Sequence, residues 1–384
     1  MNTGRNTPLI GTYQVTDRLG TGGMGVVYAG THPTLRRPVA IKTRRRSGDP
    51  SETLQFERFL QGAILQAELD HPYIARVYDY VVTENLQALV MEYLGGGSVE
   101  DWLSEAGGPL PISVAIEIGV RAAEAMSFAH AKGVIHRDMK PGNLMLVDKG
   151  VPETVRVTDF GVAKAPERSP DLTVVGAAIG TVWYMSPEQF NGDRATPGAD
   201  VYSLGATLYE MLTGQIPFES AQTAEVFKRF LDGAPPPPIL SLNPYVPPAL
   251  AAIVDLSLAL DPRERLPSAA SLSLLLRAVA AREGIILGGT VSRRLLSTMD
   301  RDAFGDLLGS VPGGIGRELR TSWSLFEDQM HQVGEQSGSS FGAADSGEIT
   351  SVSISPLSLF GDFDDDDDDE DQTIVMRIGP IEEE

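Results

Sequence analysis

The most restrictive stretch of this chain is His136-Arg137-Asp138-Met139-Lys140-Pro141-Gly142-Asn143, followed after a short strand-like run by Asp159-Phe160-Gly161. Two carboxylates, an amide and an ammonium at these intervals suit the holding of a metal-bound phosphate beside a hydroxyl. Asp138 is placed to orient a hydroxyl and accept its proton. Asn143 and Asp159 offer the hard oxygen ligands that Mg²⁺ prefers, and Lys140 puts positive charge near a phosphoryl group.

Length and charge bound what surrounds this stretch. A chain of 384 residues is long enough for two lobes and a tail. Residues 286–384 hold 6 basic against 21 acidic side chains, so −15 of the formal −21 lies there and the acidity is mostly a property of the tail. That asymmetry points to a solvated or interaction-prone C-terminus and says little about the substrate; no nucleic-acid partner is expected. The absence of cysteine excludes disulfides, thiolate metal sites and cysteine nucleophiles. No apolar leader and no run of about 18 apolar residues is present, so a cytoplasmic protein without a membrane span is expected.

Upstream, Tyr13 to Leu19 reads as a strand leading into Gly20-Thr21-Gly22-Gly23-Met24-Gly25-Val26-Val27-Tyr28. Glycines here let backbone amides approach phosphate oxygens. The following Val-Val-Tyr reads as strand, which disfavours a dinucleotide loop, since that loop opens a helix. Val39-Ala40-Ile41-Lys42 is a second strand carrying one ammonium among apolar neighbours.

Taken in order, the glycine loop, the strand lysine, H-R-D-x-K-x-x-N and D-F-G resemble the eukaryotic-like (Hanks-type) protein kinases, and Lys140 two places after Asp138 looks like the serine/threonine branch of bacterial members. The resemblance covers about residues 10–282. It implies an α+β bilobal fold, a small β-rich lobe over about 10–94 and a larger helical lobe over about 95–282, with a linker over 283–333 and a mostly disordered acidic tail from 334. It implies ATP and Mg²⁺ as cofactors and protein hydroxyls as acceptors. Lys42 would hold the α- and β-phosphates, Asp138, Lys140, Asn143 and Asp159 would carry the transfer, and Asn143 and Asp159 would bind the metal. Leu19, Gly20, Gly22, Gly25, Val27, Ala40, Met91 as gatekeeper, Glu92 and Leu94 would line the nucleotide. Asp200 would brace the catalytic-loop backbone, His136 and Phe160 would stack, and Glu188 would pair with Arg265.

One position departs from the pattern. The family's helix glutamate, nine residues before the His71-Pro72 pair, pairs with the strand lysine, and here that position is Gly62. Glycine in a helix costs about 1 kcal/mol relative to alanine. Glu57 and Glu68 do not share its helix face. Gln66, one turn on, would reach Lys42 only if the helix slid or tilted. The expectations are a kinase with a rewired helix, a kinase that needs a partner, or, as runner-up, a nucleotide-binding scaffold with little turnover.

Two threonines stand out as phosphorylation sites. Thr173 lies eight residues before Thr181 in the expected activation segment, where phosphate would pair with a pocket containing Arg137. Thr373, in Asp371-Gln372-Thr373-Ile374-Val375-Met376, resembles phosphothreonine motifs read by forkhead-associated domains, a partner that the tail would recruit.

Overall fold

A computed structural model of the protein describes residues 8–288 apart from 23–24, 46–51, 84–85, 161–181, 219–227 and 231, together with residues 320, 321 and 324. Thr173, Thr181, Thr373, the acidic tail and the helix-start signals at 49–51 lie outside the described residues.

The N-terminal lobe is one antiparallel sheet of six strands: β1 Leu9–Ile10, β2 Tyr13–Gly22, β3 Gly25–Thr31, β4 Pro38–Arg45, β5 Val77–Val82 and β6 Leu86–Glu92, in the order β1-β2-β3-β4-β6-β5. Alternation of side chains gives it two apolar faces. Val39, Ile41, Ala88 and Val90 join Ile10, Tyr13 and Val15 on one face, while Ala40, Leu89 and Met91 meet Phe59 and Ala63 of helix α1, Glu52–Ala67, on the other. The register Val27↔Lys42↔Leu89 puts Lys42 on the α1 face, buried among hydrocarbon. Close approach at the start of β3 requires glycine: Gly25 has φ 136°, and a Cβ there would lie 1.8 Å from the Thr43 carbonyl oxygen.

The C-terminal lobe is helical. Its core is formed by α3, Ile112–Ala131, α4, Pro197–Thr213, α5, Pro248–Ser257, and α6, Ala269–Arg282, with α2, Val99–Ala106, and the short pair β7, Leu144–Leu146, and β8, Val155–Val157, beside them. α3 and α4 are buried on nearly all sides, as their apolar and alanine-rich sequences require. Charges taken into this lobe are paired: Glu124 of α3 with Arg277 of α6 at 2.6 Å, and, outside these helices, Glu188 with Arg265 at 2.7 Å, the latter as the resemblance implied. α4 stops at Thr213, because Gly214 takes a left-handed cap at φ 70° and donates to the Glu210 carbonyl.

The chain does not leave the lobe at the end of α6. Ile285 and Leu287 pack against the core. Gly288 is gripped by its backbone: its N–H donates to Glu117 Oε2 at 3.1 Å and its carbonyl accepts from Arg121 Nη2 at 2.9 Å. Glu117 and Arg121 are a buried pair on α3, and a Cβ on residue 288 would come within 2.9 Å of Arg121 and Glu153.

Candidate active site

Asp200, in the first turn of α4, is fully buried. Its carboxylate accepts from the backbone N–H groups of His136 and Arg137, each at 2.8 Å, and lies 2.8 Å from His130 Nε2. Burial alone would raise its pKa, but the His130 hydrogen bond and charge, with His136 beyond, hold it below the ordinary aspartate value. The loop that follows is therefore pinned at its first two residues by an ionised group. His130 acts here as a structural partner.

The imidazole of His136 ties the loop to β8. Its Nδ1 accepts from the Asp138 N–H at 3.2 Å, so Nε2 is the ring nitrogen that donates, to the Thr158 carbonyl at 2.8 Å. The ring packs against Phe160 at 4.8 Å between centroids, both side chains buried, tilted at 56° where stacking was expected. Thr158 N–H returns a bond to the Asn143 carbonyl at 2.9 Å, and Asn143 Nδ2 donates to the Asp138 carbonyl at 2.5 Å, with Asp138 Oδ2 at 3.3 Å. Asp138, Asn143 and Asp159 are thus fixed by one connected set of bonds.

Two residues of this set have left-handed backbone, Arg137 at φ 67° and Asp159 at φ 62°. For a side chain with a Cβ that conformation costs about 1–2 kcal/mol, and such residues persist where surrounding bonds over-determine them. At Asp159 the surrounding bond is Lys42, whose Nζ lies 2.7 Å from Oδ2. This pair joins sheet and loop, and it corrects the expectation for Gln66. Gln66 is buried but donates to the Ala75 carbonyl at 2.9 Å, so it ties α1 to the approach of β5 and leaves Lys42 to Asp159. Burial works to raise the Asp159 carboxyl, and the Lys42 charge and hydrogen bond, helped by His136 and Lys140, bring it below the usual range.

The nucleotide-lining expectations fall on both sides of this pair. Val27, Ala40 and Met91 belong to one apolar cluster, Leu94 is buried, and Leu19 is half exposed on β2 near Gly20 and Gly22. At Glu92 the backbone N–H is committed to the Arg76 carbonyl at 2.8 Å, so that group does not serve a ligand. The Glu92 side chain turns to the Arg76 N–H at 3.2 Å and to Arg156. Sequence reading missed Met145. Leu144 and Leu146 are buried, so the pleat turns Met145 to the other side, half exposed and bridged to Ser98 beyond Leu94. Strand alternation directly after Asn143 was the available signal.

The residues fit a nucleotide-borne Mg²⁺. With its amide nitrogen on Asp138, Asn143 has its amide oxygen left for a cation, and Asp159 has the oxygen that Lys42 does not engage. Among the described residues no cluster of three or more His, Cys, Asp or Glu forms a metal cage. Two protein oxygens completed by phosphates and water is the usual way Mg²⁺ is held. Ser186, where the family usually has alanine, is buried and caps the turn Pro187–Phe190 reciprocally with Gln189, which also donates to the Arg137 carbonyl at 3.1 Å.

Comparison with known families agrees with this geometry. The protein kinase domain profile matches residues 13–273. The chain belongs to the protein kinase family. It is 40% identical over 255 residues to the probable serine/threonine-protein kinase PknB of Lactococcus lactis, covering 66% of this chain and 39% of the relative. It is 40% identical over 266 residues to the serine/threonine-protein kinase PknB of Mycobacterium leprae, covering 68% and 42%. To the probable serine/threonine-protein kinase CPE1738 of Clostridium perfringens it is 35% identical over 257 residues, covering 67% and 36%. This chain spans about two fifths of the length of the curated relatives it matches. Among the described residues no helix is long and apolar enough to cross a membrane.

Proposed function

We propose that this kinase-family chain is a serine/threonine protein kinase that transfers the γ-phosphoryl group of ATP to protein hydroxyls in the cytoplasm. The observation that carries the reading is the Lys42–Asp159 pair at 2.7 Å. It brings the sheet lysine to the D-F-G carboxylate and so gathers into one place residues more than a hundred positions apart in the chain.

In this reading Lys42 holds the α- and β-phosphates, the Gly20 to Gly25 hairpin covers them, and Val27, Ala40, Met91 and Leu94 enclose the base. Asn143 and Asp159 would hold Mg²⁺, which would supply neutralising charge to the phosphates. Asp138 orients the acceptor hydroxyl and takes its proton as the new O–P bond forms and the bond from the γ-phosphorus to the bridging oxygen breaks, releasing ADP. Lys140 stabilises the charge on the phosphoryl oxygens. The catalytic domain covers residues 10–282, with its lobes meeting near residue 94.

Two regulatory steps belong to the same reading. Arg137 Nε is buried with no hydrogen-bond partner among the described residues, which suits an arriving anion, and phosphate on Thr173 supplies one. Phosphate on Thr373 recruits a forkhead-associated domain. Phosphosite-resolved autophosphorylation with Mg²⁺ and ATP, run beside Asp138→Asn, tests both. Phosphate on Thr173 and Thr373 in the wild type alone is expected; nucleotide binding without transfer would sink the enzyme reading.

A further inference from the structure

Arg137 and Asp138 are joined by a peptide group that is held at both of its polar ends. Its carbonyl, on Arg137, accepts from Gln189 Nε2 at 3.1 Å, and its N–H, on Asp138, donates to His136 Nδ1 at 3.2 Å. Arg137 has left-handed backbone at φ 67°, and its own N–H is fixed by Asp200. A residue in so sparsely populated a conformation keeps it only while its surroundings hold it. The orientation of this peptide group sets the backbone from which the Asp138 side chain leaves.

Gln189 uses both ends of its amide. Oε1 accepts from Ser186 Oγ at 3.1 Å and from the Ser186 N–H at 3.4 Å, so Nε2 is the end that faces the Arg137 carbonyl. An ionised carboxylate keeps the first half of this arrangement and loses the second, because it has no hydrogen to give. The chain around the turn Pro187–Phe190 is fixed without the amide. Glu188 pairs with the buried Arg265 through two bonds, at 2.7 and 3.1 Å, and the Tyr184 carbonyl accepts from Ser203 Oγ of α4 at 2.8 Å.

We propose that Gln189 is a positioning residue for phosphoryl transfer, fixing the Arg137–Asp138 peptide and through it the direction of the Asp138 carboxylate. This rests on the kinase reading above. In that reading Gln189 acts through the base and touches neither nucleotide nor acceptor, so its contribution falls on the rate of transfer and not on ATP binding, which belongs to Lys42 and the sheet.

The test uses the full chain and separates the two ends of the amide. Gln189→Glu keeps the acceptor toward Ser186 and removes the donor toward Arg137. Ser186→Ala removes the capping hydroxyl and keeps that donor. Steady-state transfer to a threonine peptide is measured for the wild type and both variants, beside hydrogen–deuterium exchange over residues 136–143 and thermal midpoints. The expected result for Gln189→Glu is a kcat about tenfold lower, an unchanged KM for ATP and faster exchange in the loop. Ser186→Ala lowers the midpoint through the lost cap, while kcat and loop exchange stay near wild type. Losses of rate that follow the midpoint equally in the two variants overturn the proposal, since Gln189 then serves the turn alone. Faster loop exchange in Gln189→Glu with no transfer by any form, wild type included, sinks the kinase reading and supports the hold on the loop. Transfer by the wild type with neither kcat nor exchange altered in Gln189→Glu does the reverse.

Discussion

Asp200 holds the catalytic loop through two backbone N–H groups and a histidine, all at 2.8 Å, whereas among the described residues a single carboxylate oxygen holds Lys42, at 2.7 Å. On the first side the carboxylate itself is fully buried inside the helical lobe. On the second side the carboxylate belongs to a residue that the proposed reaction also needs for its cation. The helix that would ordinarily supply the lysine with a partner of its own contributes Gly62. Among the described residues the catalytic half of the site is therefore over-determined and Lys42 is held at one point. Control of turnover is expected to act through α1 and Lys42, not through the loop.

The largest effect that sharpens this contrast is Asp138→Asn. It keeps the shape of the loop and its Asn143 contacts but removes the base, so transfer should fall by about 10²- to 10⁴-fold while nucleotide affinity stays near wild type. Phosphate incorporation and a fluorescent-nucleotide titration check the two halves separately. Asp200→Ala attacks the rigid side. It leaves two buried N–H groups and His130 without their acceptor, and chemical denaturation should show a loss of about 3–5 kcal/mol. A loss under 1 kcal/mol would break the comparison, because the loop would then be held by something else.

The acid limb of stability follows from the same aspartate. Its folded pKa is depressed, so its contribution is complete above the unfolded value of about 3.9 and drains away as pH falls below that toward the folded value. Denaturation midpoints measured downward from pH 5 should drop more steeply for the wild type than for Asp200→Asn.

On the loosely held side, Gly62→Glu offers Lys42 a second carboxylate. Turnover should rise by up to about tenfold, equivalent to about 1.4 kcal/mol of barrier, and α1 should gain about 0.5 kcal/mol from losing its glycine. Unchanged steady-state rates would show that one carboxylate suffices. The smallest effect is expected from Gln66→Leu, which strands the Ala75 carbonyl and should cost about 1 kcal/mol in thermal unfolding.

What the sequence made legible was local. The loop chemistry from His136 to Asn143, the strand lysine and the cap at Ser98 are each written within a few consecutive residues, and the structure places them as their patterns require. The helix end at Thr213 was readable too, since a glycine following the last periodic residue is a stop signal. Two facts were beyond local reading. Gln66 could be placed on a helix face but its partner could not, because the choice between Lys42 and Ala75 depends on how α1 is set against the sheet. Gln189 and Arg137 are 52 positions apart, and only the packing of the turn Pro187–Phe190 against the loop joins them.

Gly288 has a mechanical consequence. Because both of its backbone polar groups are gripped by the Glu117–Arg121 pair, tension applied through the downstream chain is delivered to the middle of α3, not to the end of α6. Arg121 also lies over the Tyr73 ring, at 4.7 Å, and so stands next to the residue whose carbonyl accepts from Val157 of β8. Pulling on residue 288 therefore has to break the two hydrogen bonds to Glu117 and Arg121 before it can unwind α6 from its C-terminal end.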